Sequence, residues 1–255
     1  MPPPTGLAGP AVGRAGGRRG APLVFTHGET SKQLLEIDWD YPVYVPEEVE
    51  STGSTQAAPV RRALSIEEAM VSIAGDDRRP MLVLRECLQC QGTDLALLSR
   101  EFANERTMLL TDWFHCVKIP ANVSQADHPY HNLFPNHSHL FLATADGSVR
   151  VDFDGMQSQT SLWRAMGKML RQSYDGSAET SVKGILKLLA QYDIVDEKEA
   201  RLLKELDEEL ETRGAQSSRV RKLQEELKAL GDQRADLLAR ERKLRELELK
   251  PLGAK

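Results

Sequence analysis

The sequence predicts an α/β domain with a central mixed sheet flanked by helices, followed by a long α-helical region. Short apolar runs at 81–84, 113–119 and 140–143 alternate with helical patterns and turns, which is typical of an α/β sheet. From about residue 178 the composition changes to Leu, Glu, Lys, Arg and Ala, which favours helix. We therefore divide the chain into segments 1–61, 62–175, 176–195 and 196–250.

Charge and hydropathy exclude several classes of protein. The 255 residues carry 33 basic and 38 acidic groups, a net charge of -5, which argues against a dedicated polyanion binder. No apolar stretch approaches the roughly 20 residues that cross a bilayer. The opening segment has Arg and Gly where a secretory signal would have a long apolar run. We expect a cytoplasmic protein that binds neither nucleic acid nor membrane.

Segment 1–61 is expected to be a disordered or loosely docked N-terminal arm and a linker. As far as Ala21 it consists mostly of Pro, Gly, Ala and Arg, which bury too little apolar surface to offset the entropy of ordering. Scattered apolar residues at 22–50 predict a strand or an arm docked on the domain. The polar stretch 51–58 is typical of a linker.

Local signals predict the elements of the α/β domain, 62–175. Ser65 and Glu68 form a capping-box pattern, so a helix should begin at Ile66 and run to about Ala74. Pro80 precedes an apolar run of the kind that a strand buried on both faces shows. Further along the chain we predict a helix ending near residue 104, strands at 113–119, 140–143 and 149–153, a turn at 145–148, and a last helix around 162–170.

The C-terminal region predicts a coiled coil or a helical hairpin. A connecting helix or linker occupies 176–195, and the pattern Asp196-Glu197-Lys198-Glu199 predicts a new helix start. Further on, leucines recur every seven residues at 223, 230, 237 and 244. Their partner could be the same segment of a second chain in a homodimer, the helix beginning near Asp196, or another protein. Gly214 and the four residues after it could form the turn of a hairpin.

Cys87 and Cys90 form a C-x-x-C motif at the end of the first predicted buried strand and the start of a helix. On a helical turn their Cα atoms lie about 5 to 6 Å apart, within the range of a disulfide. The helix N-terminus favours the thiolate of Cys87. We therefore expect Cys87 to attack a disulfide and Cys90 to resolve the mixed disulfide.

Several motifs together resemble a thioredoxin-like domain over about 62–174. They are Ser65-Ile66-Glu67-Glu68-Ala69, Arg79-Pro80-Met81-Leu82-Val83-Leu84, Cys87-Leu88-Gln89-Cys90, Phe114-His115-Cys116-Val117-Lys118-Ile119, His139-Leu140-Phe141-Leu142 and Ala145-Asp146-Gly147. The resemblance implies the thioredoxin fold and a redox-active dithiol at Cys87 and Cys90. It also implies substrate contacts at Ser138 and His139, which immediately precede the third predicted strand. The expected activity is thiol-disulfide exchange with a protein disulfide or a thiol reductant, without a cofactor.

Two other functions remain open. One is a redox-inactive scaffold assembled through the C-terminal helices. This alternative would explain three departures from the family: Glu86, Met81 and Ser138 occupy the positions where it usually has an aromatic residue, a buried acid and a cis-proline, respectively. A metal-binding module would combine the cysteine pair with histidines of the loop before the third strand, namely His128, His131, His137 and His139. We expect no bound metal, since only the cysteines have metal-like spacing. Cys116 is predicted to be a small buried side chain.

Overall fold

The computed structural model describes residues 27–43, 62–87, 104–135, 138–153 and 158–251. The helices are α1 (Glu29–Leu34), α2 (Ile66–Ala74), α3 (Glu105–Thr111), α4 (Gln159–Ser173), α5 (Ala178–Arg213) and α6 (Ser218–Arg245). The strands are β1 (Trp39–Asp40), β2 (Met81–Arg85), β3 (His115–Ile119), β4 (Leu140–Ala143), β5 (Arg150–Phe153), β6 (Tyr174–Asp175) and β7 (Glu248–Leu249). Short 3-10 turns lie at Ala121–Ser124 and His131–Leu133.

A five-stranded mixed sheet forms the centre of the domain. Its strand order is β1-β3-β2-β4-β5. The strands β1, β3 and β2 are parallel, whereas β4 runs antiparallel to both β2 and β5. The predicted α/β class with a mixed central sheet is confirmed.

The helix α2 begins and ends where local chemistry predicts. The Ser65 hydroxyl accepts a hydrogen bond from the Glu68 amide, and the Glu68 carboxylate accepts one from the Ser65 amide. Gly75 then adopts φ +54°, a left-handed conformation that ends the helix. The buried face of α2 packs on the sheet through Ala69, Met70 and Ile73.

The strand β2 is buried on both faces, as predicted. Alternate residues enter different cores because successive side chains of a strand point to opposite faces. Met81 and Val83 pack with α2 and the loop before β4, whereas Leu82 and Leu84 pack with the helices on the other face. The C-terminal end of β2 is therefore enclosed from two sides.

One helix crosses the predicted boundary between 176–195 and 196–250. The helix α5 runs without interruption from Ala178 to Arg213, so the predicted helix start at Asp196 is wrong. The Asp196 carboxylate instead accepts hydrogen bonds from the Thr30 amide at 2.9 Å and from the Arg234 guanidinium at 2.8 Å. Val182 and Ile185 of α5 belong to the same core as the strands.

The C-terminal helices form an antiparallel hairpin. Gly214 ends α5 with φ +74°, and the chain returns in α6, so the turn expected there is confirmed. Contacts between Arg219 and Glu205 near the turn and between Arg240 and Gln191 further away show the antiparallel direction. After α6, the strand β7 pairs with β6 and returns the chain to the α/β domain.

Part of the N-terminal arm is docked closely rather than loosely. The helix α1 lies on α5, where the Ser31 hydroxyl donates to the Leu189 carbonyl at 3.1 Å. The strand β1 adds to the sheet beside β3. The predicted disordered segment, the linker at 51–58 and most of the helix after the cysteine pair lie outside the described residues.

Across residues 27–43, 62–87, 104–135, 138–153 and 158–251, no helix is both long and apolar enough to cross a bilayer.

Candidate functional site

The candidate site lies at the C-terminal end of β2, in the centre of the sheet. Two hydrogen bonds extend the strand pairing past Arg85: its amide donates to the His139 carbonyl at 2.7 Å, and the Glu86 amide donates to the Ile119 carbonyl at 2.8 Å. Cys87 follows immediately. The parallel order of β2 and β3 thus brings the end of β3 beside the first cysteine.

Cys87 is half-buried, and its sulfur is disulfide-bonded. The second predicted catalytic residue, Cys90, lies outside the described residues. Cys116, the third cysteine of the chain, is a free thiol in the middle of β3.

Ser138 and His139 immediately precede β4 and lie opposite the C-terminal end of β2. The antiparallel register pairs Leu84 with Leu140, and the hydrogen bond from the Arg85 amide to the His139 carbonyl continues it by one residue. The predicted substrate-binding residues are thus adjacent to the residue that precedes Cys87. The Ser138 side chain is 2% exposed, and among the described residues its hydroxyl has no hydrogen-bond partner.

Charged and aromatic side chains surround this end of the sheet. The Lys118 ammonium is 3.2 Å from the Glu86 carboxylate, and it lies 5.8 Å from the centre of the Trp39 ring. This pair neutralises the acidic residue beside Cys87. Since Glu86 occupies the position before the first cysteine, Lys118 offsets the negative charge that would otherwise disfavour a Cys87 thiolate.

Arg85 is a buried residue of the site that the sequence analysis did not identify. It is 8% exposed, with Nη2 3.0 Å from His139 Nδ1 and the guanidinium carbon 5.9 Å from the centre of the Phe134 ring. Burial lowers the pKa of Arg85 below its usual range, because the low-dielectric surroundings disfavour the charged form. The alternation of Met81, Val83 and Arg85 on one face of β2 could have identified this buried cation.

The histidines proposed as metal ligands have other partners. His128 Nδ1 accepts a hydrogen bond from the Tyr130 amide at 3.2 Å, and His131 Nδ1 lies 3.1 Å from the Val123 carbonyl. His139 contacts Arg85, and His137 lies outside the described residues. No cluster of three or more His, Cys, Asp or Glu side chains that could hold a metal ion occurs in the described part of the chain.

Cys116 differs from Cys87 in its surroundings. It is 3% exposed, and its sulfur lies 3.7 Å from the Thr111 carbonyl, so the predicted small buried side chain is confirmed. Burial raises the pKa of the Cys116 thiol to about 12, which keeps it protonated at neutral pH. A protonated buried thiol is not a nucleophile.

Comparisons with protein-family models, with curated protein sequences and with solved structures gave no match to this chain.

Proposed function

We propose that the protein is a thiol-disulfide oxidoreductase of thioredoxin-like fold, with Cys87 and Cys90 as its dithiol. The observation that carries the proposal is the position of a disulfide-bonded Cys87 directly after the central strand β2. The sheet order β1-β3-β2-β4-β5, with β4 and β5 antiparallel, supports the proposed fold. Since the chain has three cysteines and Cys116 is a free thiol, Cys90 is the proposed partner of Cys87.

The reaction takes two exchange steps. The Cys87 thiolate attacks one sulfur of a substrate disulfide, forms a mixed disulfide and releases the first substrate thiolate, which takes up a proton. The Cys90 thiolate then attacks the Cys87 sulfur and releases the second substrate thiolate. The substrate gains two electrons, and the protein is left with a Cys87–Cys90 disulfide. An external thiol reductant restores the dithiol by the reverse chemistry.

The neighbouring groups have distinct roles in this proposal. Lys118 offsets the Glu86 charge beside the nucleophile. We assign substrate contacts to Ser138 and His139, because they lie opposite the end of β2, close to Cys87 in the sheet. Their proposed role is to position the substrate and not to exchange protons with it.

Trapping of the mixed disulfide tests this function. In Cys90→Ser the first step should proceed and the second should fail, so a covalent adduct with a disulfide-bonded protein substrate such as insulin should accumulate. In Cys87→Ser neither an adduct nor turnover is expected. Cys116→Ala is the matched control and should retain activity, since its thiol is buried.

Two results would contradict the proposal. One is equal activity, or equal inactivity, of the wild type and Cys87→Ser while both proteins remain folded. The other is one tightly bound metal per reduced chain that is lost in Cys90→Ser, which would favour the metal-binding alternative.

A further inference from the structure

A cavity of about 310 Å³ lies between α3, α4 and the start of α5. None of its lining residues belongs to the candidate site around Cys87. Its floor is apolar, since it includes the buried side chains of Leu110, Leu170 and Ala178. The half-buried Trp163 adds an aromatic ring. The volume lies at the lower end of the range for small-ligand pockets, so the cavity can hold a small group with an apolar or aromatic part.

Three arginines give the rim of this cavity a positive charge. The Arg106 guanidinium lies over the Trp163 ring, 4.7 Å from its centre, and its Nη2 donates to the Glu179 carboxylate at 3.1 Å. Arg164 and Arg171 are exposed at the rim, and neither side chain has a hydrogen bond or an ion pair within the described part of the chain. Two guanidinium groups without a counter-charge therefore line the cavity beside a third that Glu179 neutralises.

The helix α4 brings these two groups toward each other. Arg164 and Arg171 are two turns apart on one face of the helix, about 10 Å along its axis. Gly167 lies between them, and a Cβ atom there would be 3.6 Å from Arg171 Nη1. The Arg171 guanidinium is thus folded back by one turn toward Arg164. Because Gly167 has no side chain, the space between the two arginines is left for a ligand.

This charge favours a phosphate over a carboxylate. A phosphate monoester has a charge between about -1.5 and -2 at pH 7 and three acceptor oxygens, and each guanidinium can bind it through two parallel N–H donors. A single carboxylate would neutralise one guanidinium and leave the other without a counter-charge. The apolar floor favours an ester over inorganic phosphate, because the floor can exclude water only against an apolar group.

We propose that this cavity binds a phosphate monoester of an aromatic or apolar group. Arg164 and Arg171 hold the phosphate, and the group that carries it packs on Leu110 and Leu170. The site is separate from the proposed dithiol, and its function does not depend on disulfide exchange. A small aryl phosphate and a phosphotyrosine side chain of a protein present the same chemistry from two sources.

The experiment measures binding to the full-length protein by isothermal titration calorimetry. The small-molecule probes are phenyl phosphate, inorganic phosphate and phenol, and the peptide probes are a phosphotyrosine peptide and its unphosphorylated form. The variants are Arg164→Gln, Arg171→Gln and Gly167→Met, which fills the space between the arginines. Lys168→Gln is the matched control, since Lys168 is an exposed cation of the same helix that does not line the cavity. Circular dichroism checks that each variant is folded.

We expect the wild type to bind phenyl phosphate more tightly than inorganic phosphate and not to bind phenol. Arg164→Gln and Arg171→Gln should each weaken binding of phenyl phosphate about tenfold, the effect of one charged hydrogen-bonded contact. Gly167→Met should prevent binding, and Lys168→Gln should leave it unchanged. Lowering the pH from 7.5 to 5 should weaken binding, because the ester loses its second charge near pH 6 while the arginines stay charged.

Three results would overturn the site. They are no binding of phenyl phosphate at millimolar concentration, an equal loss in Lys168→Gln and the arginine variants, and equal affinity for phenyl phosphate and inorganic phosphate. If the site is present, tighter binding of the phosphotyrosine peptide than of phenyl phosphate assigns the ester to a protein side chain. Tighter binding of phenyl phosphate assigns it to a small molecule.

Discussion

At the scale of single residues, the cysteines of this chain differ chiefly in their solvation. Cys87 lies half-buried at the end of a strand beside Lys118 and Glu86, whereas Cys116 lies within β3 and is 3% exposed. Desolvation raises the pKa of Cys116 to about 12. Reactivity therefore follows from position in the sheet, since all thiols have the same intrinsic chemistry.

Thiol counting should distinguish these cysteines. After mild oxidation, the native protein should incorporate no alkylating reagent, and the denatured protein should incorporate one equivalent, at Cys116. Reduction before denaturation should raise the count to three, the number of cysteines in the chain. Mass spectrometry of the labelled peptides measures this, with Cys116→Ala as the control that loses the single equivalent. Labelling of Cys87 in the oxidised denatured protein would contradict the proposed disulfide.

His27 attaches the described part of the arm to the helices. Its Nδ1 lies 2.9 Å from Asp193 and its Nε2 lies 3.3 Å from Glu105. Burial opposes the charged ring, but hydrogen bonds to both carboxylates outweigh burial and raise the pKa of His27 above its usual value. The stabilisation is therefore fully present below the unfolded-state pKa of about 6.5 and is lost as pH rises through the higher folded-state pKa.

Replacing His27 should accordingly destabilise the protein more at low pH. We expect His27→Gln to reduce the free energy of unfolding by up to about 1 kcal/mol near pH 6, the range for a partly exposed ion pair. The loss should become smaller as pH rises through the folded-state pKa of His27, because the ring then loses its charge. Urea unfolding across this pH range measures it, and Asp193→Asn should show the same pH dependence. A loss independent of pH would mean that the ring contributes packing alone.

At the scale of elements, α5 and α6 pack against each other through an apolar seam. Charged side chains beside this seam have hydrogen-bond partners of their own. Leu223, Leu230 and Leu237 are buried against α5. A second heptad column of α6, at 220, 227, 234 and 241, includes two charged residues: Arg234 bonds to Asp196 of α5, and Glu241 bonds to Arg245 one turn further along α6. These partners compensate for the charges beside the apolar seam.

Truncating the seam should destabilise the hairpin. Leu223 is fully buried, so Leu223→Ala should lower the free energy of unfolding by about 2–5 kcal/mol through lost transfer energy and a cavity. Leu238 lies on the same helix but is 39% exposed, and Leu238→Ala should cost below about 0.5 kcal/mol. Chemical denaturation followed by circular dichroism measures both. Equal effects would show that α6 does not pack on α5 through this column.

Close packing of the hairpin also depends on Gly184 of α5. A Cβ atom at this position would lie 2.8 Å from Leu244 Cδ1 on α6. That distance is shorter than ordinary contact, so the two helices pack closely at a point where α5 also contributes to the core of the sheet.

At the scale of the whole molecule, the C-terminal region completes the α/β domain. Val182, Ile185 and Leu189 of α5 share a core with β2, β3 and β4. The strand β7 pairs with β6, and the Trp113 indole donates to the Arg245 carbonyl at 3.0 Å. An α/β domain without its C-terminal helices would therefore lack part of its own core.

Truncation tests this dependence. A chain ending at Gly176 should lose cooperative unfolding, because the sheet face that packs on α5 would be exposed to water. A chain that lacks only the tip of the hairpin, residues 203–226, should keep it, since the cluster of Leu202, Leu223 and Leu230 is separate from the domain core. Calorimetry of both chains measures this. Cooperative unfolding of the chain ending at Gly176 would show that the domain is autonomous.

The sequence by itself determined the local elements and the position of the C-x-x-C motif. The cap formed by Ser65 with Glu68 and the continuous apolar run of β2 act within a few residues, so their signals can be read directly from the chain. The tertiary structure decided which surfaces meet: the leucines of α6 against α5, β7 against β6, and Arg85 beside His139. These contacts join residues far apart in sequence, and each depends on how much solvent the rest of the fold excludes, which no local pattern encodes.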